Sequence, residues 1–252
     1  MNKKNNLISV FFLLVPGFLF LISFTHIPAV KTLMNSFYST GRGKRPSKFV
    51  GFDNYEVLWS DTTFWQVFSN NIIYAFVVIP TSILLSLAMA LWVNSKIIGR
   101  PFLRFSYFLP TVLPLIAVGN IWLFFYAPGF GLIDQVATSL GFDSLNILGS
   151  QETALWGVMA VGIWKEAGFY MIFYLAGLQA IPPDLKEAAM IEGANKWYIF
   201  WRITFPLLTP TTLFVSVNAV INSFRQIDHI VVMTQGGPDY SSTLLLYYIY
   251  EA

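Results

Sequence analysis

The sequence predicts an all-α polytopic membrane protein: a helical bundle with five complete membrane-spanning helices and the beginning of a sixth. Two observations carry this expectation. Hydrophobic residues make up 56% of the chain and charged residues only 11%, whereas a soluble domain carries about 25% charged residues. Too few charges remain to cover a water-facing surface. The apolar residues are also gathered into runs close to the ~20 residues that a helix needs to cross the ~30 Å hydrocarbon layer. These runs do not alternate polar with apolar, which excludes a membrane β-barrel. Backbone groups in lipid must bond within their own segment, so each run is expected to be a helix.

The first run, Leu7 to about Val30, follows Met-Asn-Lys-Lys-Asn-Asn. It is roughly twice the length of a secretory signal core, and no small-x-small site ends it, so it reads as an uncleaved first span. A long mixed connector, 31–66, has Gly-Arg-Gly-Lys-Arg-Pro at its centre. The basic stretch Arg42 to Lys48 reads as a solvated face, with contact to an outer partner as the alternative. The second run is about Val67 to Val93, followed by a short basic connector, and the third is about Phe105 to Tyr126. The next connector, 127–152, contains Asp134, Asp143 and Glu152 but no Lys or Arg. The fourth run is about Thr153 to Leu178 and the fifth about Pro206 to Ile227, separated by the charged segment 179–205. Asp228 to Thr243 holds the turn signal Gly236-Gly237-Pro238. Leu244 to Tyr250 opens a sixth run, missing or cut off where the sequence ends at Ala252. The whole of 1–252 is expected to be one transmembrane domain.

Orientation follows from the cationic residues. With the N-terminus in the cytoplasm, the inner side carries Lys3, Lys4, Lys96, Arg100, Arg104, Lys186, Lys196 and Arg202. The outer side carries Lys31, Arg42, Lys44, Arg45 and Lys48.

Composition excludes several function classes. With no cysteine, disulfides, thiolate metal sites and a cysteine nucleophile are impossible. The two histidines, His26 and His229, lie far apart, which argues against a histidine zinc site. A net charge of +2 is too small to imply nucleic-acid binding. No Gly-x-x-x-x-Gly-Lys-Ser/Thr loop exists to cradle nucleotide phosphates, and no catalytic constellation appears.

Polar groups at membrane depth are costly and turn toward protein or water. In the fifth run Thr211, Asn218, Asn222 and Gln226 share one helical face, with Ser223 beside them. Two readings stand: a pore-lining face for a hydroxyl-rich solute, or interhelical hydrogen bonding. Asn120 in the third run reads as structural, and His26 as interfacial. Lys165 and Glu166 lie inside the fourth run, where adjacent residues face different sides. Lys165 is expected to snorkel from near one end, a cation site or proton relay being the alternative. Arg225 and Asp228 read as a surface pair, with contact between Arg225 and an anionic solute as the alternative.

The segment between the fourth and fifth runs is the least ordinary. Pro182 and Pro183 preset a helix start, and Asp184 suits its positive end. Gly193 permits a sharp turn, after which a second helical stretch runs through Trp197 and Arg202. Two short helices are thus expected to meet at a glycine. The small side chains of Ala188 and Ala189 would let another surface approach closely, and Glu187 would offer it a charge. A docking element and a solvated amphipathic loop both fit.

The segment also resembles the cytoplasmic signature of binding-protein-dependent ABC importer permeases: Glu-Ala-Ala, three residues, Gly, nine residues, then Ile-x-Leu-Pro. Glu187-Ala188-Ala189, Gly193-Ala194, Ile203 and Pro206 stand at matching spacing, with Glu192 where Asp is usual and Phe205 where Leu is usual. Phe108-Leu109-Pro110, Gly236-Gly237-Pro238 and the Ser-Ser-Thr-Leu-Leu-Leu that follows resemble the carbohydrate-uptake branch. The resemblance implies a cytoplasmic-membrane permease importing a sugar, an oligosaccharide or glycerol 3-phosphate. It implies three partners: a second permease subunit, an ATPase dimer that binds ATP and Mg in place of this chain, and an extracytoplasmic solute-binding protein. It implies that Glu187, Ala188, Ala189, Glu192, Gly193 and Ala194 couple to the ATPase. The alternative function is an ion-coupled secondary transporter, for which Glu166 is the one mid-membrane carboxylate.

Overall fold

The computed structural model describes residues 3–39, 47–95 and 97–251. Arg42, Lys44, Arg45 and Lys96, read above for charge, lie outside them. The chain divides into two compact units, Met1–Phe64 and Trp65–Ala252.

In the first unit, α1 (Lys3–Leu21) passes through a π-helical turn at Ile22–His26 into α2 (Ile27–Asn35). Pro28 explains the turn. Its ring removes one backbone donor and clashes with the carbonyl four residues back, and a widened turn relieves the clash. The Ile27 N–H accordingly donates to the Ile22 carbonyl. The apolar helix continues to Asn35, beyond the Val30 expected, and Phe11–Asn35 is long and apolar enough to cross a membrane. After it, Phe37, Phe52 and Tyr55 pack edge-on and tilted in a small aromatic group. Asn54, in α3 (Asp53–Ser60), ties the backbone by donating to the Ser36 and Tyr38 carbonyls at 2.7 and 3.0 Å.

The second unit is built on two long helices, α4 (Thr62–Asn94) and α8 (Ala154–Ala180), each sufficient to span a bilayer. Leu87, Ala90 and Val93 of α4 pack with Tyr170, Met171, Tyr174, Leu175 and Leu178 of α8. The expected third span is not one straight helix. It is α5 (Arg100–Val112) and α6 (Leu115–Tyr126), bent by 104°. Pro114 is the reason: it disfavours helical geometry at the residue before it, and Leu113 is extended at φ −74°, ψ 137°. The close packing of α5 on α8 needs Gly168, where a Cβ would stand 2.0 Å from the Tyr107 carbonyl oxygen.

The expected fifth span is also bent. The helical stretch expected through Trp197 and Arg202 begins at α10 (Lys196–Ile199) and continues through a second π-helical turn, Phe200–Thr204, into α11 (Phe205–Leu207). A 64° bend then leads to α12 (Thr209–Phe224). Pro206 stands to this π-turn as Pro28 does to the first, the residue before each proline donating to a carbonyl five positions back. Among the described residues, three helices are long and apolar enough to cross a membrane, or five if each bent pair is one span.

The remaining helices are short: α7 (Leu132–Ser139), α9 (Pro183–Ile191), α13 (Asp228–Met233) and α14 (Leu245–Glu251). Asp134 of α7 is buried and organises its loop, accepting from the Leu145 N–H at 2.6 Å, the Gly129 N–H at 2.8 Å and the Ser144 hydroxyl at 2.9 Å. Those donors, Leu145 foremost, hold its carboxyl below the usual carboxylate range.

Candidate functional site

Two groups of residues singled out in the sequence take definite shapes. The first is the segment between α8 and α12. Pro182 lies before α9 and Pro183 within its first turn, where a missing N–H costs nothing. The helix stops at Glu192, and Gly193 takes φ +83°, left-handed backbone that suits glycine. The Gly193 N–H donates to the Met190 carbonyl and the Ala194 N–H to the Ala189 carbonyl, closing the helix end. Asn195 then caps α10, its side-chain oxygen accepting from the Tyr198 N–H at 2.8 Å. The result is helix, glycine turn, helix. Glu187, Ala188, Glu192 and Gly193 are exposed and Ala194 is half-buried. Ala189 differs from expectation: it is buried within its own chain, so only Ala188 of the alanine pair offers a small outward surface. Met190 and Ile191 are exposed beside it.

The second group lies on α12. Asn222 donates to Glu166 Oε2 and to the Tyr170 hydroxyl, both at 3.3 Å. Gln226 differs from expectation: α12 ends at Phe224, and Gln226 lies beyond it, donating to Glu166 Oε1 at 3.4 Å. With Tyr74, Ser82 and Ser223 these residues line a cleft between α4, α8 and α12. The other members of the expected polar face do different work. Thr211 packs at Gly177, where a Cβ would meet its Oγ1 at 2.7 Å. Asn218 donates to the Phe214 carbonyl of its own helix, and buried Ser223 donates to the Val220 carbonyl. The cleft has room for about one water. Within this chain its polar groups therefore meet one another and do not enclose a solute.

Glu166, Tyr170 and Tyr74 come from elements other than α12, and the face of that helix alone does not point to them. The one signal for Glu166 was its charge inside an apolar run. Lys165 differs from expectation. It lies in the interior of α8, not near an end, and its Nζ donates to the Leu113 carbonyl at 2.6 Å. The ammonium thus satisfies a carbonyl at the break between α5 and α6. It also feels the charges of Glu166 and Asp228.

Residues 82–251 match the family model described as binding-protein-dependent transport system inner membrane component. The chain is 32% identical to the sulfoquinovosyl glycerol transport system permease protein of Agrobacterium fabrum, over 95% of this chain and 78% of the relative. It is 31% identical to the trehalose/maltose transport system permease protein of Thermococcus litoralis, over 92% of this chain and 79% of that one. The sn-glycerol-3-phosphate transport system permease protein of A. fabrum is also 31% identical, with 98% and 84% covered. In fold the chain is similar to a crystal structure of a bacterial ABC transporter involved in the import of the acidic polysaccharide alginate. That match has a TM-score of 0.82 and 24% identity, and covers 99% of this chain and 84% of that one.

Proposed function

Because the chain belongs to the binding-protein-dependent transport system inner membrane component family, we propose that it forms half of a translocation pore for a sugar, oligosaccharide or glycerol-3-phosphate-like solute. Five spans cross the membrane, two of them bent, with the N-terminus in the cytoplasm. A second permease subunit supplies the other half of the pore. An ATPase dimer binds ATP and Mg and carries out hydrolysis, and an extracytoplasmic binding protein delivers the solute. Permease relatives named for trehalose/maltose, sulfoquinovosyl glycerol and sn-glycerol 3-phosphate support the solute class.

One observation carries the coupling assignment: an exposed helix, ended by left-handed Gly193, stands between two apolar helices of a chain from this family. Glu187, Ala188, Glu192, Gly193 and Ala194 present that helix end to the ATPase, and buried Ala189 anchors it to its own chain. Closure of the ATPase pair pushes α9, and a rigid-body shift of the spans switches the pore between inward-facing and outward-facing states. Asn222 on α12 and Gln226 just beyond its end stand on the pore side, with Thr211, Asn218 and Ser223 supporting that helix. Glu166 would also suit an ion-coupled carrier, and family membership decides against that alternative.

Co-purification and uptake test the proposal. An ATPase subunit is expected to purify with this chain, and uptake into vesicles is expected to need ATP. Gly193→Pro is expected to abolish uptake while the chain still inserts. Uptake that proceeds without ATP, or is unchanged in Gly193→Pro, would refute the coupling role.

A further inference from the structure

The two charged residues at the centre of α8 are separated by the fold. Lys165 turns to the α5–α6 break and is engaged by the Leu113 carbonyl at 2.6 Å. Glu166, its neighbour, turns the other way into the cleft, where its hydrogen-bond partners are the neutral groups of Asn222, Gln226 and Tyr170. An amide that gives an N–H to a carboxylate directs its carbonyl oxygen elsewhere. The cluster therefore carries four acceptor oxygens, two of the carboxylate and two of the amides, against the unpartnered hydroxyl of Tyr74. Arg225 is the basic residue next in sequence to Gln226, but it caps the exposed end of α12 and is not part of the cleft lining. On the side of Lys165, Asp228 lies close enough to offset the ammonium charge.

An acceptor-rich, negatively charged surface takes hydrogen bonds from hydroxyls. It repels phosphate, sulfonate and carboxylate groups, and at membrane depth water screens that repulsion poorly. We infer that Glu166 makes this cluster a charge-selective step, admitting neutral hydroxyl-rich solutes and disfavouring anionic ones. The inference rests on the proposed pore reading and narrows it: of the solute classes above, neutral sugars and oligosaccharides fit, and a glycerol-3-phosphate-like solute does not. Asn222 and Gln226 hold the carboxylate in place, and a solute meets it when the second permease completes the path.

Because the chain has no cysteine, Asn218→Cys adds one thiol to it, a turn before Asn222. The assembled transporter, with its ATPase and second permease in lipid nanodiscs, is treated with methanethiosulfonate reagents carrying either an ethyltrimethylammonium or an ethylsulfonate group. Modification of this chain is followed by mass spectrometry, with and without ATP. After correction for each reagent's rate with a free thiol, the cationic reagent is expected to react at least roughly tenfold faster. Adding Glu166→Gln, which keeps the side-chain shape and removes the charge, is expected to erase the preference, and Glu166→Asp to retain it. Equal rates for the two reagents, or a preference that survives Glu166→Gln, would overturn the inference while leaving the pore reading intact. A thiol that neither reagent reaches in any nucleotide state would overturn the pore reading itself.

Discussion

At the scale of single residues, the costly groups are polar side chains at membrane depth; the structure gives Lys165 and Glu166 partners and leaves the buried Tyr74 hydroxyl and Asn71 amide nitrogen without one. Lys165 is the plainest case. Its ammonium meets the Leu113 carbonyl at the point where Pro114 breaks the helix. Lys165→Met leaves that carbonyl without its donor, a loss of about 1–3 kcal/mol. A lower melting temperature of the purified protein is the expected outcome, with Lys165→Arg closer to wild type. Asp134 behaves differently because it lies in a loop with three donors around it. Its carboxyl is held below the ordinary value of 3.8. The stabilisation it provides is therefore fully present above that ordinary value and is lost as pH falls through the lowered folded-state value. Wild-type protein is expected to become more sensitive to proteolysis in segment 127–152 as the pH is taken below about 4. Asp134→Asn should be more sensitive at neutral pH and should lose this acid dependence.

Among the secondary-structure elements, proline and glycine decide the shapes. Pro28 and Pro206 each widen a helix into a π-turn, and Pro114 produces the 104° break. All three prolines are visible in the sequence, yet the third run reads there as a continuous span. Hydropathy records the length of an apolar stretch and is blind to its direction. Gly168 and Gly193 act in opposite ways. Gly168 serves close packing, and Gly168→Ala would drive a Cβ against the Tyr107 carbonyl oxygen. Separating α5 from α8 is expected to cost roughly 1–3 kcal/mol, read as a lower melting temperature. Around Gly193 there is open space, and only its left-handed backbone constrains it. Gly193→Ala should therefore cost about 1–2 kcal/mol, a modest fall in melting temperature. Its larger effect is expected on ATP-dependent uptake, because the turn aims the exposed end of α9.

For the whole molecule, membrane character, the approximate position of each apolar segment and the helix–glycine–helix element were legible in the sequence. Each depends on residues close together along the chain: run length, proline and glycine placement, and the spacing from Glu187 to Pro206. Asn222→Leu belongs to this scale, because it removes a group that ties α12 to α8 through Glu166 and Tyr170. It is expected to change the uptake rate by more than it changes the melting temperature. A fall in melting temperature alone would return Asn222 to a purely interhelical role.

What the sequence determined by itself was that the long apolar runs are helical, because lipid obliges every backbone group in an apolar run to bond locally; α3, α7 and α13 lie in stretches that read as connectors. Tertiary structure alone decided which polar residues share a site. Glu166 lies 56 and 60 positions from Asn222 and Gln226, and no local pattern ties side chains at such separations. Their meeting depends on α8 and α12 packing along small residues such as Gly177. The direction of Lys165 was likewise set from outside its helix, by a carbonyl that a proline 51 positions away had placed within reach.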